Sequence, residues 1–261
     1  MNLQLNDKTA LVTGSTAGIG YAIAKLLLQE GAMVYINGRK QQTIDEVLDR
    51  LKKEVPGAKV QGIAADFSKT EDIDNLLKAL PKVDILINNV GIFGPKPFAE
   101  ITDADWFNFF EVNVMSGVRL SRHYFPKMLA KNEGRIIFIS SESAINIPED
   151  MIHYGFTKTA MLSVSRGLAE LTKGTKVTVN CVLPGPTLSA GVEEMTGLNK
   201  GASQQEVEKD FFTNTRPTSI LQRFTSPDEI ANTVVYIASP LASATNGAAI
   251  RADGGVVKTI I

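Results

Sequence analysis

Seven short apolar runs punctuate the chain, and the clearest are apolar at successive positions rather than alternate ones. They are Thr9–Thr13, Met33–Asn37, Val60–Ala65, Val83–Asn88, Arg135–Ser140, Val177–Leu183 and Ala248–Arg251. Stretches such as Ile85-Leu86-Ile87 and Ile136-Ile137-Phe138-Ile139 offer no polar face to solvent. Strands of that kind must be covered on both sides, as in a parallel sheet clothed by helices. Most runs are indeed followed by a helical pattern. Ile19, Ala22, Ile23, Leu26 and Leu27 recur at three-to-four spacing, and Gly31 then stops the helix. The alternation predicts one doubly wound α/β domain over residues 1–261, with a seven-stranded parallel sheet flanked by helices on both faces.

Helix starts punctuate the same frame. Thr70 reads as a cap with acidic residues behind it. Thr102-Asp103-Ala104-Asp105 opens a long segment to about Lys131, with a bend or irregular end suggested by Gly117 and Pro126. Ser226-Pro227-Asp228-Glu229 is a further start, with proline in the first turn. Residues 187–221 fit no internal strand and hold Val192, Met195, Leu198, Phe211 and Phe212. This stretch reads as a substrate-covering lid or, alternatively, as a tolerated surface insertion.

Composition excludes several classes. Of 261 residues, 44% are hydrophobic and 21% charged, with a formal net charge of −1 and no block of like charges. That argues against a nucleic-acid or membrane surface. No apolar run approaches roughly 18 residues, and the N-terminus lacks a basic region leading into a long apolar stretch. Cys181 is the only cysteine, so a reducing, cytoplasmic setting is expected. His123 and His153 are the only histidines, and no histidine/cysteine cluster can form a protein metal site, so no metal is expected.

In a doubly wound sheet, ligands bind outside the carboxyl ends of the strands. There the chain carries Thr13-Gly14, Asn37-Gly38-Arg39, Asp66, Asn88-Asn89-Val90-Gly91, Ser140-Ser141 and Pro184-Gly185. Gly14, Gly18 and Gly20, with Ser15, Thr16 and Ile19 between them, form a strand–turn–helix suited to a dinucleotide pyrophosphate. After the second strand stands Arg39 and no acid. A guanidinium there favours a 2′-phosphate, so NADP(H) is preferred with NAD(H) possible, unless Arg39 is merely solvated. Asp66 offers an acceptor for an adenine amino group, or a turn acid, with Phe67 beside it. Asn89 and Gly91 either line the cofactor trough or tie strands together.

Ser141, Tyr154 and Lys158 carry the reaction chemistry. Lys158 follows Tyr154 by four positions, one helical turn. An ammonium about 4 Å from a phenol, at an effective dielectric near 20, favours phenolate by roughly 4 kcal/mol. That is about three pKa units, enough to bring a tyrosine near 7. Alone, such a pair is a packed ring and a surface lysine; with the glycine turn it suggests a proton-transfer site. No Gly-x-Ser-x-Gly elbow surrounds Ser141, so a Ser-His-Asp hydrolase is disfavoured.

These motifs together resemble the short-chain dehydrogenase/reductase family along essentially the whole length. The quoted set is TGSTAGIG, NNVG, Asn113, Ser141, Tyr154-xxx-Lys158, Pro184-Gly185 and Asp253-Gly254-Gly255, with Val90 replacing the usual alanine and Ser189 a common threonine. The resemblance implies a Rossmann-type NAD(P)-dependent oxidoreductase moving hydride between the cofactor and a small-molecule carbonyl or alcohol. By it, Tyr154 is the acid/base, Ser141 polarises the substrate oxygen, and Lys158 also binds the nicotinamide ribose. Asn113 holds a relay water, while Pro184, Gly185 and the Thr187 or Ser189 hydroxyl meet the nicotinamide carboxamide. A dimer or tetramer is expected by the same analogy.

Overall fold

The computed structural model describes residues 1–260. The first half runs β1 (Thr9–Val12), α1 (Gly18–Gln29), β2 (Met33–Gly38), α2 (Gln41–Glu54), β3 (Val60–Ala64), α3 (Thr70–Ala79) and β4 (Ile85–Asn88). Then follow α4 (Asp103–Phe110), α5 (Ser116–Lys131), β5 (Gly134–Ile139), α6 (Ile152–Glu170) and β6 (Val177–Pro184). The chain closes with α7 (Ala190–Thr196), α8 (Gln204–Asn214), α9 (Pro227–Ala238) and β7 (Ala249–Ala252). All seven strands pair parallel in the order β3-β2-β1-β4-β5-β6-β7. The order reverses between β1 and β4, which opens a crevice at their carboxyl ends.

Strand periodicity divides the core in two. Ala10, Val12, Ile137, Ile139 and Val182 face α1, α2 and α9, while Leu11, Ile136, Phe138, Cys181 and Leu183 face the opposite cluster with α3, α5 and α6. Successive residues thus serve opposite cores. The unbroken apolar runs are explained.

Two caps differ from expectation. Lys69, not Thr70, precedes α3, and no side chain caps that helix; its Asp72 instead accepts from the Asp66 amide. Ser226 and Glu229 form a full capping box, as do Thr102 and Asp105. The segment opened by Thr102 is broken by a π-helical turn, Glu111–Met115, rather than at Gly117 or Pro126, which both lie inside α5. Gly117 instead lets α5 approach the sheet closely, since a Cβ there would sit 2.8 Å from the Phe138 ring. Residues 187–221 fold into α7 and α8, anchored by Phe212 against Phe211 and Phe224.

At the crevice, α1 begins hard against the sheet. A Cβ on Gly20 would lie 2.4 Å from the Gly14 carbonyl oxygen and 2.5 Å from Asn89 Nδ2. Gly14 itself has φ +59, open to glycine at little cost. Gly20→Ala is therefore expected to lower unfolding free energy by about 1–3 kcal/mol, the usual cost of overpacking. Urea denaturation checks this; unchanged stability would mean that the turn relaxes freely.

Candidate active site

Polar side chains tie the strand ends before any ligand is considered. Asn37 Oδ1 accepts from the Gly14 amide, while Asn37 Nδ2 donates to the carbonyls of Ile63 and Ala65. Asn89 Nδ2 donates to the carbonyls of Thr13 and Gly14, each at 3.0 Å. Thr13 Oγ1 accepts from the amides of Asn89 and Val90. The asparagines therefore tie strands, and the loop they hold lines the crevice.

A trough of about 430 Å³ is bounded by Gly14, Thr16, Gly38, Arg39, Asp66 and Phe67. A second cleft of about 290 Å³ holds Ile19, Gly20, Ser141, Tyr154, Lys158 and Pro184 among its walls. Asn89 and Gly91 line both, so the two are neighbours at the loop after β4. At the start of α1, Ala17 occupies the cap position and no side chain covers the first amides. Uncapped helical N–H groups beside a glycine-packed turn suit an anion, and the turn fits a pyrophosphate.

Several expected contacts are reassigned. Ser15 is fully buried, with its hydroxyl donating to the Val12 carbonyl and accepting from the Asn37 amide, so only its backbone faces the turn. Asp66 Oδ1 accepts from the Ser68 amide and hydroxyl, which hold its carboxyl below the usual range. It is a turn acid that also lines the trough, with Phe67 buried beside it. Arg39 is exposed at the rim. Sequence reading missed Arg50, which stacks 3.9 Å over the Tyr21 ring and reaches the Thr16 carbonyl. Only the fold brings α2 against the glycine turn.

Tyr154 and Lys158 lie in the first two turns of α6, and Ser141 follows β5. Several contacts bring them together. Ser140 Oγ donates to the Lys158 carbonyl at 2.9 Å, and Thr159 Oγ1 to the Ala144 carbonyl at 2.8 Å. Gly155 completes the approach, since a Cβ there would meet Ile147 at 2.6 Å. Ser140 is thus structural and Ser141 faces the cleft. The Ser141 hydroxyl accepts from the Ser143 amide and lines the cleft with the Tyr154 phenol, whose charged form it favours.

Electrostatics overturns one expectation. Lys158 Nζ donates to the Ile139 carbonyl at 3.0 Å and stands 5.5 Å from the Tyr154 ring centre. Burial pushes the phenol up to about 12, against the lowering effect of Ser141, and pushes Lys158 down to about 8. The ammonium does not bring the phenol near 7. Desolvation penalises both charged forms, and here it wins.

Asn113 sits in the π-helical turn and is buried. Its amide donates to the Ile92 carbonyl and Thr157 Oγ1, and its Oδ1 accepts from the Ile92 amide. The side chain is consumed in joining the loop after β4 to α6. Thr187 is likewise tied, to the Gly185 carbonyl and Thr225, while Ser189 caps α7. Gly185 lies where a Cβ would strike the Asp253 backbone at 2.5 Å.

Two further residues carried no signal in sequence. Glu142, next to Ser141, is 3% exposed, and Arg216, beyond α8, is 9% exposed. Arg216 Nε donates to Glu142 Oε1 at 2.9 Å, across 74 residues of chain. Burial raises the Glu142 carboxyl, with Arg216 and Ser143 opposing.

His153 is buried against Phe109, with its charge disfavoured by burial, and Cys181 lies in the core as expected. No helix among the described residues is long and apolar enough to cross a membrane.

Comparison with known proteins adds to this geometry. A family model described as short chain dehydrogenase matches residues 8–199. The uncharacterized oxidoreductase YvaG of Bacillus subtilis is 52% identical over 263 residues, covering 100% of both chains. The 3-oxoacyl-(acyl-carrier-protein) reductase FabG of Aquifex aeolicus is 30% identical, covering 98% of this chain and 100% of that one. Among solved structures, L-sorbose reductase from Gluconobacter frateurii, complexed with NADPH and L-sorbose, aligns with a TM-score of 0.91 and 30% identity over 100% of both chains.

Proposed function

The chain belongs to the short-chain dehydrogenase/reductase family and is an NAD(P)-dependent oxidoreductase, and from that premise we propose how its own residues act. Its reaction interconverts a carbonyl and an alcohol, with NADP(H) as the preferred dinucleotide. The observation carrying this reading is that Ser141, Tyr154 and Lys158 line one cleft, whose walls share Asn89 and Gly91 with the glycine-turn trough. A bound NADPH supplies the hydride. The Tyr154 phenol gives its proton to the substrate oxygen, and Ser141 Oγ donates to the same oxygen as negative charge develops. Lys158 contributes positive charge beneath the phenol and a donor toward a ribose hydroxyl. Asn113 positions Lys158 indirectly, by fastening the loop whose Gly91 lies beside the Lys158 ammonium. A water relay there has only the second lone pair of Asn113 Oδ1 open to it on that side chain. Pro184, Gly185 and Thr187 offer backbone groups to the carboxamide, and Ser189 its hydroxyl proton.

A phenol held near 12 is a ready proton donor at neutral pH and a reluctant base. Reduction is therefore expected to stay level through neutrality, while alcohol oxidation climbs with pH as phenolate accumulates. Tyr154→Phe should lower kcat by at least about 100-fold, the lower end of general acid catalysis, with NADPH affinity little changed. Unchanged turnover would remove Tyr154 from the chemistry.

Arg39 at the trough rim and Arg50 beside Thr16 supply the cations that favour a 2′-phosphate. Arg39→Asp is expected to weaken NADPH binding about tenfold or more relative to NADH, from loss of one charge-assisted contact. Titration by fluorescence checks it, and equal weakening of both cofactors would favour the NAD(H) reading.

Residues 187–221 act as the cleft's cover, with Val192, Met195 and Phe211 on its inner wall. Self-association into a dimer or tetramer uses the faces of α4 and α6, where Phe107 and Phe156 are 73% and 47% exposed. Sedimentation at the single-chain mass of 28.2 kDa would contradict it. The reducing cytoplasm suits a chain whose one thiol is buried.

A further inference from the structure

One buried polar atom of the cleft has no use in the chemistry above. Glu142 Oε1 accepts from Arg216 Nε and from Ser143 Oγ, but Glu142 Oε2 has no partner although the residue is 3% exposed. Glu142 and Arg216 both line the cleft with Ser141 and Tyr154. The carboxylate is close enough to oppose ionisation of the Tyr154 phenol. Arg216 is secured in turn, by Nη1 donating to the Thr215 carbonyl and by its own amide donating to the Phe211 carbonyl. A buried carboxylate oxygen left unpaired is unfavourable, and a ligand hydroxyl relieves it whereas a C–H group does not.

We propose that Glu142, held by Arg216, is a specificity subsite whose free Oε2 accepts from a hydroxyl near the reacting carbonyl, so that the substrates are hydroxyketones and the corresponding diols. The position follows from the shared wall: Glu142 lines the same cleft as Ser141 and Tyr154, beside the oxygen site proposed at Ser141. The pair is neutral overall, which selects an uncharged hydroxylated group rather than a second carboxylate. Apolar ketones gain nothing from Oε2, and they leave it desolvated beneath them. Arg216 belongs to the segment beyond α8, so the subsite also couples the 187–221 cover to the floor of the cleft.

This inference rests on the carbonyl-oxygen site proposed above, and its test separates the two. NADPH-dependent reduction of 2-hydroxycyclohexanone and cyclohexanone should differ by at least about 100-fold in kcat/KM, since sites built to bond a substrate hydroxyl reject its absence strongly. The double variant Glu142→Leu/Arg216→Met removes both charges together, which a fold tolerates better than one unpaired charge. In it the ratio between the two ketones should collapse toward one, whereas a merely structural role would lower both rates alike. Glu142→Gln, which keeps the shape, should give an intermediate ratio. Calorimetry with Tyr154→Phe enzyme and NADP+ supplies a readout free of turnover: cyclohexane-1,2-diol should bind more tightly than cyclohexanol, and only while Glu142 is present. Equal treatment of the paired ligands in wild type, or a ratio indifferent to Glu142, overturns the subsite and leaves the oxidoreductase reading standing. Preferential diol binding without turnover of either ketone would instead overturn the residue roles proposed above and keep the subsite.

Discussion

A sheet buried on both faces has no room for polar side chains except beyond the ends of its strands. Here successive residues of β1, β5 and β6 serve opposite cores, so every functional group is displaced toward one edge. That edge would be a row of loose loops without Thr13, Asn37 and Asn89, whose side chains satisfy the carbonyls and amides left by the reversal between β1 and β4. The crevice is a product of topology, and its rigidity a product of these few hydrogen bonds. Buried backbone groups need partners, and these asparagines provide them.

Desolvation dominates the electrostatics of the cleft. It keeps the Tyr154 phenol protonated, weakens the charge on Lys158, and raises the Glu142 carboxyl against the pull of Arg216. A cation one helical turn away is therefore not a sufficient cause for a reactive phenolate. The same low-dielectric setting strengthens each hydrogen bond aimed at a developing charge. Ser141 lines the cleft with the phenol and favours its charged form against burial. A protonated phenol and a neighbouring hydroxyl are the groups on which the proposed carbonyl chemistry rests.

Much of this was legible from local pattern. Strand positions followed from unbroken apolar runs, and the starts of α4 and α9 from Thr102 and Ser226. The order of Gly14, Ser141, Tyr154 and Lys158 along the chain was enough to place them at one edge. The π-helical turn around Asn113 was not legible, because nothing in a helical repeat marks one extra residue per turn. Ser15, Thr187 and Asn113 were read as available polar groups, yet each is spent on backbone or neighbouring side chains. Arg50 and Arg216 were invisible for a different reason. Their partners lie 34 and 74 residues away, and no spacing rule reaches that far.

Periodicity and short-range spacing are properties of the chain, so the amino-acid order alone determined the alternating strands and helices, the glycine turn and the residues available for proton transfer. Tertiary structure decided which of those side chains remained free to act, how strongly burial opposed their charges, and that Glu142 would face the cleft with one oxygen unpaired. Those outcomes depend on desolvation and on contacts between distant segments, and both exist only once the layers have closed over the sheet.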